Sequence, residues 1–262
     1  MADSPRASVI VTVGDEILGG FTLDTNSHWL AGRLREVGYP CVRIEVVPDR
    51  PAAIVEAVRR AAGDLAISRV LVCGGLGPTP DDRTLEALAD AVGRPLEVHP
   101  EAEGHVQRVL DRLHAAGWVE SNRIGEANRK MTVAPRGSTV LANRRGMAPG
   151  LACPLPGGNG AERWLLVLPG VPRELTTIFA EEMAPTFFRD GTVISVAELH
   201  YRTAIEAELF EPLRRLEGEF PDVTAGSYPQ TETRELIIRL RGDDPDRVDA
   251  ALSRLRELRP PP

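Results

Sequence analysis

The stretch Gly74-Gly75-Leu76-Gly77-Pro78-Thr79-Pro80-Asp81-Asp82 puts three glycines and two acids behind the apolar run Arg69-Val70-Leu71-Val72-Cys73 and ahead of a helical pattern over 84–92. A strand, a glycine-rich turn and a helix start, in that order, present backbone amides to a phosphate in open α/β sheets. Two carboxylates closing the turn repel a bare phosphate at short range, so the turn calls for a cation between them. Capping explains part of the motif: Thr79 can cap, Pro80 suits a first helical position, and Asp82 follows Thr79 by three. A cap needs at most one glycine, and the others point to a ligand loop.

Two further turns follow apolar runs. Gly14-Asp15-Glu16 comes after residues 8–13, and Leu168-Pro169-Gly170-Val171-Pro172 with Glu174 comes after residues 164–168. The carboxyl ends of strands in an open α/β sheet line one crevice, so the three turns are expected to converge, with Asp24 reaching in from a helix start. Convergence would gather Asp15, Glu16, Asp24, Asp81, Asp82 and Glu174. Such oxygen ligands suit a divalent cation, Mg²⁺, Mn²⁺ or Co²⁺, held jointly with phosphate and water. Backbone amides at Gly75, Leu76 and Gly77 would hold the phosphate, and metal-bound water would attack phosphorus.

Other chemistries fail on their residues. The loop lacks the Lys-Ser/Thr of a P-loop and the later glycine of a dinucleotide fingerprint. His28, His99, His105, His114 and His200 show no paired spacing, and no Gly-x-Ser-x-Gly elbow exists. Cys41, Cys73 and Cys153 lie far apart, in odd number and without metal-ligand spacing, which reads as free thiols in a reducing cytoplasm.

The elements that must position the turns alternate. Strands are predicted over 8–13, 41–47, 69–73, 138–141, 151–153 and 164–168. Helices are predicted from the Asp24-Thr25-Asn26 cap to Gly38 and over 52–62, 84–92, 100–118, 124–130 and 173–183, with a glycine-rich hairpin loop at 156–160. That pattern predicts an α/β fold with a mostly parallel sheet and helices on both faces. Residues 192–258 read as a βαββα unit with helices over 204–216 and 245–258, so the expected division is 1–190 and 191–262. At 262 residues, 42% hydrophobic and 26% charged, the chain is an ordinary globular composition. Its net charge of −7 argues against general nucleic-acid binding, and no apolar run approaches a membrane span.

Taken together, Val13-Gly14-Asp15-Glu16-Ile17-Leu18 with Gly20, Asp24-Thr25-Asn26, the 74–82 loop, Asn143 through Gly146-Met147-Ala148-Pro149-Gly150, and Leu168-Pro169-Gly170-Val171-Pro172 with Glu174 resemble the CinA family. The N-terminal domain of that family is of the molybdopterin-binding (MoaB/Mog-like) type. The resemblance implies a three-layer α/β/α sandwich followed by a small α+β domain, a homodimer, and a pterin or nucleotide ligand. It implies that Asp82 and Asp24 are catalytic and that Asp24, Asp81 and Asp82 hold metal. The ligand phosphate would lie among Gly14, Asp15, Gly74, Gly75, Leu76, Gly77, Thr79, Gly146, Pro149, Gly170 and Pro172. Metal-dependent cleavage of ADP-ribose at its pyrophosphate is the expected activity, with pterin binding or adenylylation, or nucleotide binding without catalysis, as alternatives. Met147 stands where the family usually has threonine. The chain carries no deamidase domain after the small one, so deamidase activity is expected to be absent.

Overall fold

The computed structural model describes residues 6–157, 162–202 and 205–261. The chain forms two compact units, Met1–Gly191 and Thr192–Pro262. In the first, β1 (Ala7–Val13) leads through a one-turn helix α1 (Asp15–Leu18) to α2 (Thr25–Glu36), β2 (Cys41–Val47), α3 (Pro51–Gly63), β3 (Ile67–Cys73) and α4 (Thr84–Ala91). There follow β4 (Leu96–Val98), α5 (Pro100–Ala115), α6 (Glu126–Arg129), β5 (Val133–Pro135), β6 (Thr139–Leu141), β7 (Gly150–Leu155), β8 (Arg163–Leu168) and α7 (Pro172–Ile178). The last helix runs on through a π turn, Phe179–Met183, into α8 (Ala184–Phe187).

The main sheet has the order β2-β1-β3-β8-β7-β6. Strands β2, β1, β3 and β8 are parallel, and β7 and β6 are antiparallel. Both faces are covered, which is why residues 9–11 of β1 and 70–73 of β3 read as apolar runs. On one face Val9, Val11, Val70 and Val72 pack with Ile54 and Val58 of α3, Leu88 of α4 and Val106 of α5. On the other, Ile10, Leu71 and Leu166 pack with Leu30 and Leu34 of α2 and Leu175 and Ile178 of α7. This is a three-layer α/β/α sandwich.

The second unit is β9 (Ser195–Arg202), α9 (Phe210–Glu219), β10 (Thr224–Gln230), β11 (Glu235–Gly242) and α10 (Pro245–Leu258). Its antiparallel sheet, β10-β11-β9, shares a core of Tyr201, Leu216, Ile238, Leu240, Val248 and Leu255 with the two helices. The expected start of its first helix at 204 lies outside the described residues, as do positions 158–160 of the expected hairpin loop.

Three local expectations are corrected. The helix predicted over 100–118 ends at Ala115, where Ala116 and Gly117 close it, and the one predicted over 124–130 is the one-turn α6 continued by a 3-10 turn, Lys130–Thr132. The short pair β4 and β5 was not foreseen. Thr79 does not cap α4, whose N-cap is Arg83; Thr79 and Asp82 instead close a tight turn of their own, with Asp82 N donating to Thr79 O at 3.1 Å.

Candidate functional site

The sheet order places β2 and β3 on opposite sides of β1, so the connections leaving β1 and β3 diverge and leave a crevice at their carboxyl ends. Glycine is obligatory there: Gly74 has φ +102°, and a Cβ on it would lie 2.2 Å from Val13 O. The turn after β8 meets the same point, with a Cβ on Gly170 coming 3.4 Å from the Gly74 Cα. Asn26 Nδ2 donates to Gly170 O at 2.7 Å and ties the start of α2 to that turn. The turns expected to converge do so, around a cavity of about 500 Å³.

The start of α4 grips the glycine loop by its carbonyls. Thr84 is fully buried; its Oγ1 donates to Gly74 O at 2.9 Å and its N to Gly75 O at 3.2 Å. Among the described residues no acceptor within the chain takes the amides of Gly75, Leu76 or Gly77, which line the cavity. Three adjacent amides with uncommitted N–H groups are the kind of donor set that an anion requires. Farther along, Asp82 Oδ2 accepts from Thr79 N at 2.9 Å and Thr79 Oγ1 at 2.6 Å, while Lys130 Nζ donates to Thr79 O.

Asp24, Asp81, Asp82, Gly74, Gly75, Leu76, Gly77, Gly170 and Pro172 all border this cavity, with Glu16 and Glu174. Asp24 is also the N-cap of α2, accepting from Ser27 N at 2.9 Å through one oxygen. Five expected contacts are not on the wall: Gly14, Asp15, Thr79, Gly146 and Pro149. Most are spent inside the protein. The Gly14 amide goes to Val47 O, the Asp15 amide to Asp49 Oδ2, that of Thr79 to Asp82, and that of Gly146 to Asn143 Oδ1 at 2.9 Å. Proline at 149 has no amide to offer.

The site also holds residues that the sequence reading did not assign. Asp49, at the end of β2, borders the cavity and accepts from Asp15 N at 2.7 Å. Burial pushes its carboxyl above the ordinary range; the Asp15 amide opposes this, and the charges of Glu16, Asp15 and Asp81 add to it. The signal was present, since Asp49 comes just after the Cys41–Val47 strand. Asp81 is held below the ordinary range by the polar groups of its own turn, the neighbouring Thr79 hydroxyl first and then its own amide, and by the charge of Lys130. Cys73 lies on the cavity floor, where burial pushes its thiol up to about 12 and Thr12 Oγ1 sits 3.3 Å away. It stays a thiol at neutral pH.

Among the described residues no three His, Cys, Asp or Glu side chains stand close enough to hold a metal ion alone. Asp24 and Asp82 each keep one carboxylate oxygen outside the bonds just described. Their hard oxygen chemistry fits a cation that takes its remaining ligands from phosphate and water, rather than a closed protein cage.

Residues 9–189 match the family described as Probable molybdopterin binding domain, and residues 197–261 match FAD synthase, middle domain. A protein of Aeropyrum pernix is 35% identical over 99% of this chain and 90% of its own length. A CinA-like protein of Mycolicibacterium gilvum is 34% identical over 97% of this chain and 60% of its own, so the chain spans about three fifths of that relative. The crystal structure of a CinA of unknown function from Thermoplasma acidophilum, 30% identical, superposes with a TM-score of 0.57 over 68% of this chain and 96% of that one. On the match over most of its length and on these relatives, the chain belongs to the molybdopterin-binding domain family as a CinA-like member.

Proposed function

We propose that the crevice binds the phosphate-bearing end of a pterin or nucleotide, with a divalent cation shared between the phosphate and the acids. The observation that carries this is the run of three unbonded amides at Gly75, Leu76 and Gly77 on a cavity rich in carboxylates. The amides supply fixed partial positive charge without any rearrangement. Asp24 and Asp82, with Asp81, are the residues that would hold the cation. A cation bound there would offset the diphosphate charge and polarise a phosphoryl oxygen. The family's description as a probable molybdopterin-binding domain supports the pterin half of the ligand class.

A second reading, hydrolysis of a phosphoanhydride such as that of ADP-ribose, is favoured by one observation. Asp49, whose carboxyl burial pushes up, lies on the cavity wall among other acids, as a proton acceptor for an attacking water would. In this reading Asp24 and Asp82 are indispensable to turnover.

Calorimetric titration with inorganic pyrophosphate, GDP and ADP-ribose, with and without Mg²⁺ or Mn²⁺, tests the binding; product analysis by ³¹P NMR tests the cleavage. Binding that needs the divalent ion and is lost in Asp82→Asn is the expected result. Wild-type affinity in Asp82→Asn, or affinity indifferent to the ion, refutes the cation-bridged site. ADP-ribose recovered intact under each metal refutes the hydrolase reading alone.

A further inference from the structure

The two edges of the main sheet are unlike. β6 is three residues long and leaves little backbone to pair. β2 has seven, Cys41-Val42-Arg43-Ile44-Glu45-Val46-Val47, and among the described residues β1 is its one neighbour in the sheet. An irregularity between the Ser8–Cys41 and Val9–Arg43 pairs bends its start, and from Arg43 onward the register is unbroken. Edge strands are ordinarily blunted by lysine, proline or short length. β2 carries none of these, and it shows Val42 61% exposed and Ile44 47% exposed.

Backbone groups alternate in direction along a strand. Val47 O accepts from Gly14 N at the end of β1, so Arg43 and Glu45 also turn their N–H and C=O toward β1, and Ile44 and Val46 turn theirs outward. The sequence around Ile44 is its own complement. Laid antiparallel on a second copy with Ile44 on the two-fold axis, Ile44 exchanges both hydrogen bonds with its counterpart and Val46 faces Val42. Arg43 then faces Glu45 of the second copy, in the closely spaced pair where cross-strand side chains meet. Moving the axis to either neighbour sets Arg43 against Arg43 or Glu45 against Glu45.

Arg43 has an unmet need that this register answers. Its Nε and Nη2 are buried without a hydrogen-bond acceptor among the described residues, although the side chain is 37% exposed. Glu45 Oε2 of its own strand lies 4.0 Å from Nε, beyond hydrogen-bond reach. Arg60 of α3 donates to Glu45 Oε1, which leaves Oε2 for an arginine across the axis. We propose that β2 is a self-pairing edge: two copies of the chain join antiparallel about Ile44, with Arg43 and Glu45 exchanged between them, into one continuous sheet. The carboxyl ends of the two β2 strands then point opposite ways, so each crevice opens at its own end of the joined sheet.

Sedimentation equilibrium of the full chain at micromolar concentration should give twice the chain mass. Ile44→Lys sets two like charges on the axis and should raise the dimer dissociation constant about tenfold or more, with the far-UV circular dichroism unchanged. Arg43→Glu should weaken the dimer as well, and Arg43→Glu with Glu45→Arg should restore it, which general damage to the edge does not do. Where that double variant fails to fold, cysteines settle the register. Opposed residues of a hydrogen-bonded pair lie about 5.5 Å apart at Cα, within disulfide reach, so Ile44→Cys should link two chains under copper phenanthroline. Val42 is more exposed but lies four residues out of step with its own counterpart, roughly 14 Å away, so Val42→Cys should stay unlinked. Wild type, with Cys41 half-buried at the start of the strand, should stay unlinked too. A monomeric wild type, a dimer indifferent to Ile44→Lys, a folded double variant no tighter than Arg43→Glu, or linking of Val42→Cys in preference to Ile44→Cys overturns the proposal.

Discussion

Gly77→Ala is expected to act on ligand binding through Asp82 and through nothing else. Gly77 is not among the glycines of positive φ, so alanine is compatible with its backbone. The added Cβ would lie 2.5 Å from Asp82 Oδ2, the oxygen that Thr79 holds with two hydrogen bonds. The carboxylate must swing away and give up both. At about 1 kcal/mol for each bond on a partly exposed loop, the fold loses at most about 2 kcal/mol, or about 4–8 °C in Tm. If Asp82 holds the cation, its displacement removes one charge-assisted contact, worth about 1.5–3 kcal/mol, or about ten- to hundredfold in affinity. The assay is GDP binding with Mn²⁺ in wild type, Gly77→Ala, Asp82→Ala and the double variant. The double variant should bind as weakly as Asp82→Ala alone, since neighbours acting through one group are not additive. Losses that simply add would place the methyl effect on the ligand or the loop and refute the role given to Asp82.

Three further outcomes are expected. Thr84→Val keeps the shape of a fully buried side chain but leaves Gly74 O without its donor, so thermal unfolding should show a loss of about 2 kcal/mol and GDP affinity should fall with it. An unchanged melt would mean that the loop is not held from α4. Arg163 is almost wholly buried and donates to the carbonyls of Ile67, Pro156, Ala62 and Asp64; Arg163→Met should cost about 3 kcal/mol in denaturant unfolding, and a neutral effect would show those carbonyls satisfied otherwise. Asp49→Asn keeps an acceptor for the Asp15 amide. Because the folded carboxyl titrates above its unfolded value, its stabilising contribution is full below the unfolded pKa and is lost as pH rises through the folded one. The variant should therefore melt higher than wild type at neutral pH, with the gap closing under acid; a gap of constant size would remove the burial argument.

What the sequence made legible follows from how each feature is encoded. β1, β3 and β8 were readable because strands buried on both faces carry apolar runs, and the turns behind them were readable because glycine marks close approach. β4 and β5 have three residues each, too few to show a period. Asp49 escaped because its turn, Pro48-Asp49-Arg50, carries no glycine although it closes a strand like the others. Lys130 reaches Thr79 across 51 residues, a pairing no local pattern records. Thr79 and Gly146 were given to the phosphate because their neighbourhoods are right; their amides are taken by Asp82 and Asn143, three residues away in each case. Composition places a residue near a site, but only hydrogen-bond accounting shows whether its donor is still free.

The crevice sets two incomplete fields against each other, and that opposition makes its own prediction. The amides of Gly75, Leu76 and Gly77 attract an anion, while Glu16, Asp24, Asp49, Asp81, Asp82 and Glu174 border the same cavity and repel it. A lone cation fares no better, since no three of the described acids converge on one point. Each partner completes what the other lacks, so anion and cation should bind with positive coupling, and linkage requires the factor to be the same in both directions. A coupling of about 1–3 kcal/mol, five- to 150-fold, is the ordinary range. Mn²⁺ affinity measured by electron paramagnetic resonance with and without GDP, corrected for the complex the two form in free solution, should rise by the factor that Mn²⁺ confers on GDP. Asp24→Asn should lower that factor, because it removes charge from the cation's side and leaves the three amides untouched. GDP affinity that is strong without metal, and unchanged by it, would mean that the amides hold the phosphate unaided and that the acids serve another purpose.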